Sequence, residues 1–281
     1  MEMRSIHLAC GQVVCRPGDV EGNLHQIERL SAEAARAGAR LCLFAEGAIS
    51  GYMLTEQAFA DALREDGPAA RELKRIAASC KIVVAAGTME GAADGVYVSH
   101  FIAFPDGRLL VQRKNVLNER EKKAGLARGP EARIPFQVDG VRMGLIVCAD
   151  AGIPDIYNKL AAQGCQVCLH PSAGGGGREH MCHPEDLEDP ARRKAYLQMM
   201  RQVCFIGGAM ETAARHHMAI ALVNLAGDDG VDHYHPGHTA IVDSRGRCMM
   251  LHPGEYVVDY LEPRMFHAEV LVREPRVVRA S

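Results

Sequence analysis

Tryptophan is absent from this 281-residue chain, and aromatic residues make up only 5% of it. No charge of one sign is in excess either, because 32 lysines and arginines oppose 35 acidic residues and leave a net charge of −3. Nucleic-acid binding is disfavoured as the main role, since it needs a basic field. No apolar run reaches about 18 residues, and the N-terminus lacks a signal-peptide pattern. We therefore expect no membrane association and a cytoplasmic location.

The residues that are present predict a globular protein, with 48% apolar and 24% charged side chains. Ten cysteines occur, most of them inside apolar runs such as 41–44 and 145–148. Without an export signal this placement favours reduced, buried thiols over disulfides. Because no linker-like composition interrupts the chain, we predict one domain over 1–281. Its tail, about 255–281, is expected to lie at a subunit interface.

Hydrophobic periodicity predicts an α/β fold. The first third reads strand, helix, strand, helix, strand, over 5–14, 21–37, 41–46, 68–80 and 82–89. A hairpin is predicted in 98–114, with its turn at Pro105–Gly107. The later predictions are strand 140–148, helix 154–163, strand 165–171, a polar loop at 173–193, helix 190–202, strands 203–209 and 218–224, a hairpin at 239–251 and a last strand at 256–260 or 267–272.

Three polar residues each end an apolar strand: Glu46, Lys114 and Cys148. Functional sites assemble at strand ends in α/β folds. A carboxylate can take a thiol proton, the thiolate can attack a carbonyl carbon, and an ammonium can stabilise the oxyanion. Taken singly, each has a simpler explanation, since a strand cysteine is usually an inert apolar residue and a charge after a strand is usually solvated. The spacing alone leaves both interpretations open.

Four segments resemble the carbon–nitrogen hydrolase (nitrilase) superfamily, in its amidase- and carbamoylase-like branch. LCLFAEGAISGY (41–52) resembles the first motif, and RKNVLNEREKKAG (113–125) the second. Residues 144–173 resemble the third motif, in which a strand is followed by Cys, one further residue, Asp and then a Pro–acid pair. The segment 235–250 resembles the late hairpin. Order and spacing agree over most of the chain.

This resemblance implies a four-layer αββα sandwich of the nitrilase type that forms a homodimer or a higher homo-oligomer. It implies that Glu46 is the general base, Lys114 the oxyanion-stabilising lysine and Cys148 the nucleophile. A second glutamate is expected after the lysine, and Glu121 matches it better than Glu119. The implied reaction is hydrolysis of a small amide or N-carbamoyl compound through a thioester, with no metal or organic cofactor.

Several positions near the nucleophile bear on specificity. Ala149 stands where superfamily members often carry an aromatic residue, which favours an amide over a nitrile substrate; its backbone N–H is expected to join Lys114 at the oxyanion. Asp150, His170 and Arg178 are further candidate substrate contacts. Nitrile hydrolysis by the same triad and a non-catalytic binding or assembly role remain the alternatives. The Gly-rich 173–193 loop is a candidate lid or a plain surface loop.

A metal site is the other competing interpretation, because Cys165 and Cys168 have a metal-like spacing and several histidines follow, notably at 180–183 and 233–238. No second cysteine pair fits, and a strand at 165–171 would send side chains three residues apart to opposite faces. We therefore predict that no metal is bound there.

Overall fold

The computed structural model describes residues 3–177, 188–191, 206–231, 233–249 and 263–273. Its strands are β1 (Met3–Gln12), β2 (Leu41–Phe44), β3 (Val83–Ala92), β4 (Gly95–Ala103), β5 (Leu109–Arg113), β6 (Phe136–Val138), β7 (Val141–Leu145), β8 (Val167–Pro171), β9 (Gly176–Gly177), β10 (Ala219–Val223), β11 (Ala226–Asp228), β12 (His233–Pro236), β13 (Ala240–Val242) and β14 (Arg264–Arg273). The helices are α1 (Val20–Arg36), α2 (Glu56–Ala60), α3 (Pro68–Cys80), α4 (Glu119–Ala124), α5 (Ile156–Ala162) and α6 (Ile206–His216), with a 3₁₀ turn at Cys148–Gly152.

Two sheets carry most of the fold. The larger has the order β14-β1-β2-β3-β4-β5, with β1, β2 and β3 parallel and the outer strands antiparallel. The other has the order β13-β10-β8-β7-β6, with β7, β8 and β10 parallel. A small third sheet has the order β11-β12-β9. Consecutive parallel strands are joined through helices, as the alternating pattern predicts.

Alternation along the strands shows how the layers stack. On β10, Ala219, Ala221 and Val223 belong to the core that both sheets share, whereas Ile220 packs with α5 and α6. Helices α1 and α3 cover the other face of the larger sheet. Successive strand residues point to opposite faces, so both faces of each sheet are buried. The result is the expected αββα sandwich.

Helix α1 illustrates why these segments fold as they do. Leu24, Ile27 and Leu30 recur at helical spacing and are all buried. The side chain of Asp19 caps the N-terminus by accepting a hydrogen bond from Gly22 N at 3.0 Å. Burying each large apolar side chain contributes about 1.5–3 kcal/mol, so the apolar stripe fixes the helix against the sheet.

Most predicted elements are confirmed, and two predictions are wrong. Within 203–209 the described residues begin helix α6, not a strand; Ala209 and Ala213 are buried one helical turn apart. Cys165 and Cys168 pack in the same apolar cluster, because β8 begins only at Val167 and the strand alternation does not reach Cys165.

The last strand, β14, confirms the 267–272 alternative, while 256–260 and most of the predicted helix 190–202 lie outside the described residues. None of the helices in the described part of the chain has both the length and the apolar character needed to cross a bilayer. The eight cysteines described are all free thiols.

Candidate active site

Glu46, Lys114, Glu121 and Cys148 come together where the two large sheets meet. Glu46 lies two residues beyond β2, and Lys114 directly follows β5, so both come from the larger sheet. Cys148 opens the 3₁₀ turn after β7, on the other sheet. Glu46, Lys114 and Glu121 are at most 1% exposed, and Cys148 is half-buried.

The Lys114 ammonium lies between two carboxylates. Its Nζ donates to Glu46 Oε1 at 2.8 Å and to Glu121 Oε1 at 2.6 Å. Burial alone would lower the pKa of Lys114, but the charge of Glu46, helped by Glu121, outweighs it, and the pKa is raised well above its usual value. Lys114 therefore stays charged and holds both carboxylates in place.

Glu46 is fixed by the backbone of the opposite sheet. Its Oε2 accepts from Ala173 N at 2.9 Å, and its own N–H donates to Ser172 O at 3.3 Å, both just beyond β8. Burial raises the pKa of Glu46, Lys114 opposes that change, and Glu121 adds to it. A carboxyl group with a raised pKa is suited to accept and then return a proton.

The Cys148 thiol lies within electrostatic reach of the Glu46 carboxylate. Burial raises its pKa to about 12, with a further contribution from Glu46, while Lys114 lowers it. Near neutral pH the sulfur is therefore protonated and faces a base. The backbone at Cys148 is left-handed, with φ of 46°, a conformation that a non-glycine residue adopts at a cost and that is enriched at functional sites.

Glu121 is held by residues that the sequence analysis did not single out. It occupies the third position of α4 in a capping box with Asn118, whose N–H donates to Glu121 Oε2 at 2.7 Å. The Tyr52 hydroxyl donates to Glu121 Oε1, also at 2.7 Å. The Asn-x-x-Glu spacing is enough to predict the capping box from sequence, whereas the contact between Tyr52 and Glu121 is visible only in the structure. Glu119, the alternative, is 89% exposed and pairs with Lys122.

The remaining predicted site residues occupy different positions. Ala149 is half-buried in the 3₁₀ turn. Asp150 is fully buried, and both of its oxygens accept hydrogen bonds from protein groups. His170 is 4% exposed, and its Nε2 lies 3.0 Å from Cys148 O, to which it can donate. Arg178 lies outside the described residues.

No group of three or more His, Cys, Asp or Glu side chains suited to a metal ion occurs within the described ranges. Cys165 and Cys168 lie close together in the apolar cluster, and burial raises the pKa of both thiols, that of Cys165 to about 11. They are therefore protonated and behave as small apolar side chains. The histidines at 180–183 are outside the described residues.

Two sheets that meet at a buried glutamate and lysine beside a half-buried cysteine carry the groups that a hydrolase with a cysteine nucleophile uses. The sequence profile of the carbon–nitrogen hydrolase family matches residues 7–255, and the chain belongs to that family.

Relatives and solved structures agree with this assignment. A hydrolase of Mycobacterium tuberculosis is 31% identical over 167 residues, 57% of this chain and 58% of that protein. A nitrilase of Pyrococcus abyssi is 29% identical over 153 residues, 53% of this chain and 58% of that protein. The matches thus span less than two thirds of these relatives' length. The amidase of Nesterenkonia superimposes with a TM-score of 0.72 at 23% identity, covering 94% of this chain and 90% of that one, and shares the fold.

Proposed function

We propose that this hydrolase cleaves a non-peptide C–N bond of a small amide or N-carbamoyl compound through a thioester on Cys148. One observation carries the proposal: the buried Lys114 ammonium is held by two carboxylates, and one of these, Glu46, also acts on the Cys148 thiol. The arrangement places a base, an oxyanion donor and a nucleophile within one cluster. A plain structural core would not need all three.

The first half-reaction forms the acyl-enzyme. Glu46 takes the Cys148 proton as the sulfur attacks the substrate carbonyl carbon, and the oxygen becomes an oxyanion. The Lys114 ammonium and the Ala149 N–H stabilise that charge, which develops only in the transition state. When the C–N bond breaks, protonated Glu46 gives its proton to the departing ammonia or amine.

The second half-reaction returns the enzyme to its starting state. Glu46 takes a proton from water, which attacks the thioester carbon. The C–S bond breaks, Glu46 returns the proton to the sulfur, and the acid product leaves. Because burial raises the pKa of both Cys148 and Glu46, each group holds the transferred proton more firmly than it would in water.

Amide substrates are favoured by relatives and by the sequence beside the nucleophile. A variant of the Nesterenkonia amidase carries the acetamide moiety of fluoroacetamide covalently added at its active-site cysteine. Ala149 also has a smaller side chain than the aromatic residue that superfamily members often carry at this position. The nitrilase of Pyrococcus abyssi favours the alternative, nitrile hydrolysis, which would pass through a thioimidate. Membership of the family also supports a homodimer, which sedimentation velocity would test.

The test is intact-mass analysis after rapid quenching with small amides, N-carbamoyl compounds and nitriles. Wild type is expected to carry an acyl adduct whose mass identifies the substrate class, and Cys148→Ala is expected to carry none. Ammonia or amine release would accompany the adduct. An adduct on folded Cys148→Ala, or the absence of adduct and product across the whole panel, would contradict the proposal and favour a binding role.

A further inference from the structure

Asp150 joins the two segments that carry Lys114 and Cys148. Its Oδ1 accepts from the backbone N–H groups of Asn115 and Val116, each at 2.8 Å. Its Oδ2 accepts from Val147 N at 3.1 Å. Asn115 and Val116 directly follow Lys114, and Val147 directly precedes Cys148, so one carboxylate bonds to the neighbours of both groups.

This connection crosses between the sheets. Lys114 ends β5 at the edge of the larger sheet, whereas Cys148 follows β7 of the other sheet. The distance between side chains on two different sheets stays constant only if the sheets do not move relative to each other. A short buried bridge beside the reacting groups removes that freedom where it matters most.

Arg133 completes the bridge. Its Nη1 donates to Asp150 Oδ2 at 2.7 Å and to Arg113 O at 3.2 Å, the carbonyl immediately before Lys114. Its Nε donates to Glu131 O at 3.0 Å. The side chains of Arg133 and Asp150 are at most 1% exposed, and both oxygens of Asp150 already accept hydrogen bonds from protein donors.

We propose that Asp150 and Arg133 are positioning residues that fix Lys114 relative to Cys148, rather than substrate contacts. The inference rests on the proposed function, in which Lys114 and Cys148 act on one carbonyl group. Misplacement by about 1 Å can cost about 10²-fold in rate, so loss of either residue is expected to lower kcat by about that factor and to change KM little.

The test compares Asp150→Asn, which removes a negative charge, with Arg133→Met, which removes a positive one. The readout is the rate of Cys148 alkylation by iodoacetamide at fixed pH, followed by peptide mass. Below the thiol pKa this rate follows the thiolate fraction, and no substrate is needed. The charged groups acting on the Cys148 thiol are Glu46 and Glu121, which raise its pKa, and Lys114, which lowers it.

The two variants distinguish positioning from direct electrostatics. If the pair positions Lys114, both variants withdraw the ammonium from the sulfur, and both slow alkylation by about tenfold. If the charges act directly on Cys148, Asp150→Asn speeds alkylation while Arg133→Met slows it. An unchanged or faster rate in Asp150→Asn overturns the proposal.

Controls separate positioning from general loss of stability. Asp243 is a matched carboxylate, since it accepts from Arg245 N, Arg247 N and the Arg247 side chain, and it follows β13 at the far edge of its sheet. Asp243→Asn is expected to lower Tm without changing the alkylation rate. If Asp150→Asn or Arg133→Met does not fold, Arg133→Lys is used instead. It keeps the positive charge but loses the branched guanidinium, and it must still slow alkylation.

The experiment also separates failure of the two proposals. If wild type turns over no amide, carbamoyl compound or nitrile, the proposed reaction fails, yet slower alkylation in both variants would still support the bridge. If turnover is present but kcat and alkylation are unchanged in folded Asp150→Asn and Arg133→Met, the bridge is refuted and the reaction stands.

Discussion

Replacing Glu121 by Gln tests how the buried charges divide their tasks. The wild-type carboxylate accepts from Lys114 and Tyr52 through Oε1, and from Asn118 N through Oε2. A glutamine oxygen can keep the first two bonds. Its NH₂ group must then face the Asn118 N–H, so two donors oppose each other and the capping box is broken.

The cost follows from these contacts. Losing the cap lowers the free energy of unfolding by about 1 kcal/mol. The carboxylate–ammonium pair with Lys114 becomes a hydrogen bond from the ammonium to an uncharged amide oxygen, a difference of about 1 kcal/mol or more. Removal of the repulsion between Glu121 and Glu46 offsets part of this loss. We expect the free energy of unfolding to fall by about 1–3 kcal/mol, and kcat by about 10–10²-fold because Lys114 is held less firmly.

The pH dependence gives a sign that instability alone would not produce. Glu121 is one of the charges that raise the pKa of Glu46. In the variant that contribution disappears, so the Glu46 pKa falls, and a base that must be deprotonated remains active to lower pH. The acid limb of kcat/KM is therefore expected to move to lower pH, as measured by a pH–rate profile.

The matched control is Glu119→Gln, two residues away on the same helix. Glu119 is 89% exposed and pairs only with Lys122 among the contacts found for it, so stability, kcat and the acid limb should all remain as in wild type. Equal effects of the two substitutions, or an acid limb that moves to higher pH in Glu121→Gln, would refute the reasoning.

Three further outcomes are expected. Cys148→Ala should abolish turnover while circular dichroism and Tm remain close to wild type, and substantial turnover in that variant would remove Cys148 from the mechanism. Lys114→Ala should lower kcat/KM by about 10²–10³-fold and the unfolding free energy by about 3–5 kcal/mol, because it leaves two buried carboxylates unpaired; unchanged steady-state rates would exclude Lys114 from the site. Gly87→Ala should reduce kcat, since its Cβ would lie 2.6 Å from Glu46 Cα, whereas Gly208→Ala, with nothing within 4 Å, should leave kcat unchanged.

The strands are predicted from local pattern, whereas the sandwich and the roles of the four clustered polar residues are implied by the resemblance of their segments to the family's motifs. Apolar strands flanked by helical periodicity identify β2, β7 and β8, and Glu46 and Cys148 lie next to strand ends. The described part of 203–209 is helical and not extended, because a short apolar run can belong to a strand or to a buried helix and only tertiary packing decides between them.

Other parts of the site could not be predicted from local pattern. Tyr52 and Arg133 reach their partners across 69 and 17 residues of chain, and their surrounding sequences resemble ordinary loops. Asp150 was predicted as a substrate contact because it lies two residues from Cys148. Proximity in sequence correctly placed it near the nucleophile, but only the packing shows that its oxygens bond to the protein.

The division of the site between two sheets explains why so much charge is buried in it. Glu46 and Lys114 come from the larger sheet, while Cys148 and the Ala173 N–H that fixes Glu46 come from the other. Apolar packing holds the sheets together but is not directional, so it cannot by itself set the distance from sulfur to ammonium. Hydrogen bonds between charged groups are directional and strong when desolvated. The ion pairs of Lys114 and of Asp150 therefore set the geometry at the junction, and the desolvation cost of burying them is tolerated because the proposed reaction needs that geometry.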